Sequence, residues 1–475
     1  MYKRLFILFL WLGASILATY YAPAIFRPIF YVIMLGAYFR SKDEALWLTL
    51  FFIVSDGFWG YFNAYEVVVS LIPGLPPIEV GHLYILLTVI KASKAGNPGR
   101  FFHDKIVAVM AVYLGFLIVQ GYVLGLSPQI NIQFRMVKFI FPIMLFYSVP
   151  RLFRTGEQYR DLFMYMFPFA FFALFAQVFT IVTHMSPSQY LGIYRDFWFT
   201  VDVSKGKTYR GFYSSGIVLM TFFGALYYLA HRGKNFNFLY LVAIAGADLM
   251  SVFLSATRGW LIGLSLGLVL FLLFIFKPSG KRLATMAGAT IVLILGLLAI
   301  PVVGMQFTNA FKRMTTLEAL ASGDVTAHGT LERLNKRSPR VMGKWIETPL
   351  TGWGFSDEFF KYADFHVANQ NILLHSGILG AILMGMFFVY FHFVLFWRST
   401  HLPRGHPLKE AIMVFVIFFP GWFFIHSTSG QHFGYYQEPG HAMTTSLYFS
   451  FGALLYNFSF NPPSGQEPES GRQPA

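Results

Sequence analysis

Apolar residues along this chain come in long uninterrupted blocks, not at the three-and-four spacing of an amphipathic surface helix. A block of about 18 or more such residues is long enough, as a helix, to cross a hydrocarbon layer of about 30 Å. The pattern predicts fourteen such segments, at 4–21, 23–39, 45–60, 78–92, 104–124, 135–150, 161–184, 212–230, 237–256, 259–276, 284–305, 369–397, 408–427 and 442–459. Breaks around Asp56-Gly57 and 73–77 shorten several early ones, so twelve is the alternative count. The expected fold is an all-α polytopic membrane protein of 12–14 helices. The basic, apolar opening MYKRLFILFLWLGASILATYY resembles a signal peptide, but without a clean cleavage site it reads as a retained first span.

Composition agrees with the pattern. Hydrophobic residues make up 56% of the chain and charged residues 12%, against about 25% charged in a typical soluble domain. There are no cysteines, which excludes disulfides and thiolate chemistry. The net charge of +14 is distributed unevenly. Basic connections (Lys3/Arg4, Arg40/Lys42, Lys91–Lys105, Arg151–Arg160, Arg232/Lys234, Lys277–Arg282, Arg398–Lys409) alternate with ones poor in Lys and Arg. Lys and Arg stay in the cytoplasm, so this bias predicts cytoplasmic termini and one large external segment, 306–368. This bias accounts for most of the net charge, membrane lipids are the expected surroundings, and no nucleic-acid module is visible. The expected division is an N-terminal bundle (1–305), the external loop (306–368), C-terminal spans (369–460) and a polar tail (461–475), rich in Pro, Gly, Ser and Glu, that reads as disordered.

Within the external segment, Arg333, Lys336, Arg337, Arg340 and Lys344 recur at helical offsets of three and four. On one helix they would form a basic stripe. Ser338-Pro339 is a helix-start signal, so two short helices or one kinked helix are both open. A stripe of this kind suits an interfacial helix resting on lipid phosphates, with Val341, Trp345 and Ile346 dipping inward. It also suits a site for an anionic ligand, because arginine's planar fork donates paired, charge-assisted hydrogen bonds to phosphate. External arginines run against the charge bias, which favours the second reading. Arg258, in SATRGW, and Arg210, in KTYRGF, fall at predicted outer edges of spans, where an arginine often only anchors the helix end.

His366 follows Asp364 and precedes Asn369 and Asn371. Its ordinary pKa near 6.5 lets it take a proton at neutral pH. His375 reads as a buried structural residue. Asp56, His82, His184 and Asp248 are lone polar groups in apolar segments and form no visible relay. His426, His432 and His441 are the nearest approach to a metal set, and their spacing is weak.

Three pieces together resemble the bacterial O-antigen ligase and O-antigen polymerase superfamily: SATRGWLIGLSLGLVL (255–270), ERLNKRSPRVMGKWIETPLTGWG (332–354) with its Pro-x-x-Gly-x-Gly ending, and HVANQNILLHSGILG (366–380) with glycines eleven and fourteen residues after the histidine. YRGFYSS (209–215) is a weaker likeness, and Val367 stands where that family carries asparagine. The resemblance implies a GT-C-like, metal-independent inverting glycosyltransferase of the bacterial inner membrane that needs no cofactor. Its donor would be an undecaprenyl-pyrophosphate-linked glycan, and its acceptor a lipid A core or a second lipid-linked glycan. Arg210, Arg258 and Arg333, helped by Arg337 and Arg340, would hold the pyrophosphate, and His366 would activate the acceptor hydroxyl. The alternative from another class is a transporter of lipid-linked glycans, motivated by Asp56 and Asp248. It would call for paired broken helices in an internal repeat, which the sequence does not display.

Overall fold

The computed structural model describes residues 2–23, 25–55, 68–69, 78–95, 103–129, 144–153, 155–183, 185–192, 200–203, 206–209, 215–231, 236–255, 258–275, 288, 295–296, 298–301, 303–308, 333–364, 367–403 and 405–429. The described chain is mostly helical. Apart from the helices it carries two short antiparallel strand pairs, Val68–Val69 with Ile78–Glu79 and Thr200–Val203 with Gly206–Tyr209. Helices α1 (Tyr2–Ile16), α2 (Phe26–Arg40), α3 (Glu44–Ser55), α4 (Val80–Lys94), α5 (His103–Leu124) and α6 (Met144–Leu152) form the first part. They are followed by α7 (Gly156–Met166), α8 (Pro168–Thr183), α9 (Ser215–Ala230), α10 (Phe238–Leu254) and α11 (Arg258–Phe274). The last part holds α12 (Ser338–Trp345), α13 (Asp357–Tyr362), α14 (Ala368–Thr400) and α15 (Pro407–Ser429).

Apart from α12 and α13, which lie in the polar segment 306–368, these helices overlap the predicted apolar segments. Only part of segment 284–305 is among the described residues, and 442–459 lies outside them. Among the described residues, two helices are long and apolar enough to cross a membrane, Tyr2–Tyr21 and Gly156–Thr183. Others, such as Gly216–Ala230 and Gly259–Phe274, are apolar but shorter. Local chemistry sets several starts. Thr155 and Gln158 form a reciprocal capping box ahead of α7, Asn237 accepts from Leu239 and Tyr240 N–H ahead of α10, and Pro168 opens α8.

Packing is tight between α9 and α10, α11 and α15, and α14 and α15. Gly421 lets α15 approach α11 closely, since a Cβ there would lie 2.5 Å from the Gly263 carbonyl oxygen. Large apolar side chains remain on the outside. On α14, Ile378, Ile382, Met386, Val389, Phe393 and Trp397 are exposed and form one stripe at helical spacing, with Leu379 exposed beside it. At about 1.5 Å per residue it runs for about 28 Å.

The polar contacts sort into two ends. At one, Arg4 bridges Asp43 and Asp161 at 3.0 and 2.7 Å, Lys91 meets Glu44 at 2.5 Å, and Arg160 faces Glu410 at 3.6 Å. Connections that the charge pattern assigns to one side therefore come together. At the other end, Gln120 at the close of α5 donates to the Thr351 carbonyl, joining the first half of the chain to the segment that holds the predicted site. Asp248 is buried in α10 and accepts from the Thr221 hydroxyl of α9 at 2.8 Å.

Candidate functional site

A π-turn, Arg333–Arg337, runs directly into α12. The expected cap at Ser338 does not form. The residue before the helix, Arg337, already has helical dihedrals, and Ser338 is the first helical position, its Oγ accepting instead from Gln370 Nε2 at 2.8 Å. The junction is thus a single helical unit with a register change, a device common at functional sites.

The basic stripe divides. Lys336, Arg337 and Arg340 line a cavity of about 330 Å³ together with Asp364. Arg337 Nη1 lies 3.5 Å from Asp364 Oδ1, and Arg340 Nη2 lies 3.3 Å from Oδ2. Lys344 turns away from them. It binds Glu347 at 2.7 Å and Glu358 at 2.8 Å, and sits 4.0 Å over the Trp353 ring. Hydrogen bonds that it donates to Glu347 and Glu358 hold its ammonium above the ordinary lysine range, and Lys344 in turn holds the Glu358 carboxyl below its own. Of the five cations expected on one face, Lys344 is therefore a structural one.

Asp364 is fixed through its own peptide. Its N–H donates to Asn371 Oδ1 at 3.1 Å, its carbonyl accepts from Asn371 Nδ2 at 2.9 Å, and Val367 N–H caps the same carbonyl at 3.1 Å. Asn371 is buried on α14. The segment leading to His366 is thereby tied to the helix that follows it.

The glycines at 377 and 380 play different parts. Gly377 has φ of 62° and breaks α14. The break strips Leu374 and His375 carbonyls of their helical donors, and Ile378 and Leu379 N–H of their acceptors. The Pro-x-x-Gly-x-Gly segment satisfies all four. Trp353 and Gly354 N–H donate to Leu374 and His375 carbonyls, each at 2.7 Å. Ile378 and Leu379 N–H donate to Pro349 and Leu350 carbonyls at 3.0 and 3.1 Å. Gly352 and Gly354 turn with positive φ of 68° and 54° to reach the break, and a Cβ on Gly352 would lie 2.6 Å from Gly377 N. Gly380 packs on Ser376 and Tyr113. His375 is buried, edge-on to Phe355 and Phe359 at 4.5 and 4.8 Å.

Of the predicted site residues, Arg337 and Arg340 are brought together at the cavity. Arg258 begins α11 and Arg333 begins the π-turn, and only their backbones are described. Arg210 and His366 lie outside the described residues. Two members of the site have no role in the sequence reading, Asp364 and Asn371. Asp364 carries a usable signal, as the one acidic residue between Glu358 and Glu410. No family model matches the chain, and no curated protein matches it.

Proposed function

We propose that this chain is an inner-membrane glycosyltransferase of the O-antigen ligase type, which moves a glycan from undecaprenyl pyrophosphate to the hydroxyl of a lipid A core at the periplasmic face. The observation that carries the reading is the cavity where, among the described residues, Lys336, Arg337 and Arg340 outnumber Asp364, two residues before His366. It is supported by the loop-to-helix clamp, which joins two sequence pieces that carry the family resemblance. The exposed apolar stripe on α14, about as long as a hydrocarbon layer is thick, supports the membrane part. The pairing of basic connections at the opposite end supports a cytoplasmic face there.

In this mechanism the arginines neutralise the charge that develops on the leaving pyrophosphate. His366 accepts the proton of the acceptor hydroxyl as its oxygen attacks the anomeric carbon. The new glycosidic bond forms as the carbon–phosphate-oxygen bond breaks, so the anomeric configuration inverts, and undecaprenyl pyrophosphate leaves with the bonding pair. No metal is required for these steps.

A polymerase of the same superfamily shares this chemistry and differs in acceptor, a second lipid-linked glycan. Complementation of a deletion strain tests both the site and the acceptor. Loss of all surface O-antigen on deletion marks a ligase, and a single repeat left on the core marks a polymerase. His366→Ala and Arg333→Ala chains that are present at normal levels should fail to restore transfer, and full restoration by either removes that residue from the site.

A further inference from the structure

Two guanidiniums that face one anion site repel each other and, left alone, splay toward solvent. Here a single carboxylate lies between them, one oxygen to each: Oδ1 to Arg337 and Oδ2 to Arg340. Its side chain is 9% exposed, while those of Arg337 and Arg340 are 30% and 48% exposed, so an anion arriving from the open side meets the guanidiniums first. The carboxylate is not carried on a swinging loop, because Asn371 holds both the N–H and the carbonyl of its peptide. At 3.3 and 3.5 Å the contacts are long for charge-assisted bonds, and each engages one terminal nitrogen of a fork that has five N–H donors. Among the described residues, cations outnumber carboxylates at the cavity, an excess of positive charge that suits the negative charge of a pyrophosphate diester.

We infer that Asp364 is a positioning residue, whose carboxylate spaces and aims Arg337 and Arg340 so that the pair grips both phosphoryl groups of a pyrophosphate at once. This rests on the reading of the cavity as the donor's pyrophosphate site. Orthophosphate, which one guanidinium can satisfy, gains little from the spacing. The physical logic is that of any preorganised site, where a buried second group locks the rotamers of the groups that touch the ligand.

Calorimetric titration of the full-length chain in detergent micelles, with inorganic pyrophosphate and separately with inorganic orthophosphate, tests the inference. Asp364→Ala should weaken pyrophosphate binding about tenfold, the scale of one charge-assisted hydrogen bond, with orthophosphate binding changed less than twofold. Asp364→Asn, which keeps the shape of the side chain, should move pyrophosphate binding in the same direction. Tighter pyrophosphate binding in either variant would make the carboxylate a competitor for the arginines and overturns the inference, as does an equal loss for both anions. If Arg340→Ala lowers pyrophosphate affinity while both Asp364 variants bind like the parent, Asp364 is dismissed and the cavity reading stands. Should Arg337→Ala and Arg340→Ala leave pyrophosphate binding intact, the cavity reading itself fails, and the inference with it.

Discussion

The two polar ends of the bundle use the same residue types for different ends. At one end, Arg4, Lys91 and Arg160 each have at least one carboxylate of their own, and Arg4 has two. Those contacts tie the N-terminus, α3, α4, α7 and α15 together, and leave little field for a ligand. At the cavity, Arg337 and Arg340 share the Asp364 carboxylate at 3.5 and 3.3 Å, Lys336 lines the same space, and Arg340 stays about half exposed. Lys344 marks the border between the regimes. It belongs to the same run of basic residues, yet two glutamates and two aromatic rings absorb it. An unbalanced cation count, more than the presence of arginine, separates a candidate site from a brace.

The comparison breaks most visibly if charge is removed at either end. The double variant Arg337→Ala with Arg340→Ala should cost about 3–6 kcal/mol of pyrophosphate binding, from about 1.5–3 per charged hydrogen bond. Its melting temperature should fall less than that of Lys91→Met, since the stranded Asp364 carboxylate borders an open cavity that water can enter. Lys91→Met should do the reverse. It strands the buried Glu44 carboxylate, at a cost of about 3–5 kcal/mol in stability, and leaves anion binding per folded molecule unchanged. A melting curve beside each titration separates the two outcomes.

Next in size are the glycines. Gly377→Ala meets a left-handed backbone, worth about 1–2 kcal/mol, and drives a methyl into the Leu350 peptide, worth about 1–3 more. Gly36→Ala on α2 meets nothing within 4 Å and should raise stability by about 0.5–1 kcal/mol. Thermal melts of opposite sign check the pair. The smallest effect is at Lys344. Glu358 is held below its ordinary 4.5, so its contribution is present above that value and is lost as pH falls through the lower, folded one. Lys344 is raised above 10.5, so its share is present below that value and is lost only as pH rises through the folded one. A melting temperature flat from pH 6 to 9, with a slight acid-side fall that Glu358→Gln abolishes, is the expected result.

The helical order, the placement of α3, α4, α5, α9, α10, α11, α14 and α15, and the basic helix were all legible in the chain. Each depends on local periodicity, and apolar blocks declare themselves without reference to distant residues. The glycine spacing at 352, 354 and 377 was visible too, but its meaning was not. A helix break requires four backbone groups to be satisfied elsewhere, and nothing local says that 349–354 will supply them. Lys344 and Arg340 look alike along the chain, four residues apart on one face. Only the fold decided that one meets Glu347 and Glu358 while the other shares Asp364. Asp364 itself sat beside His366 in plain view. Its link to arginines 24 and 27 residues back came from the packing of α12 on α14. Local pattern determines which segments become helices, because backbone hydrogen bonding and burial are settled within a few turns. Which charges remain uncompensated depends on partners brought from far along the chain, and tertiary packing alone makes that choice.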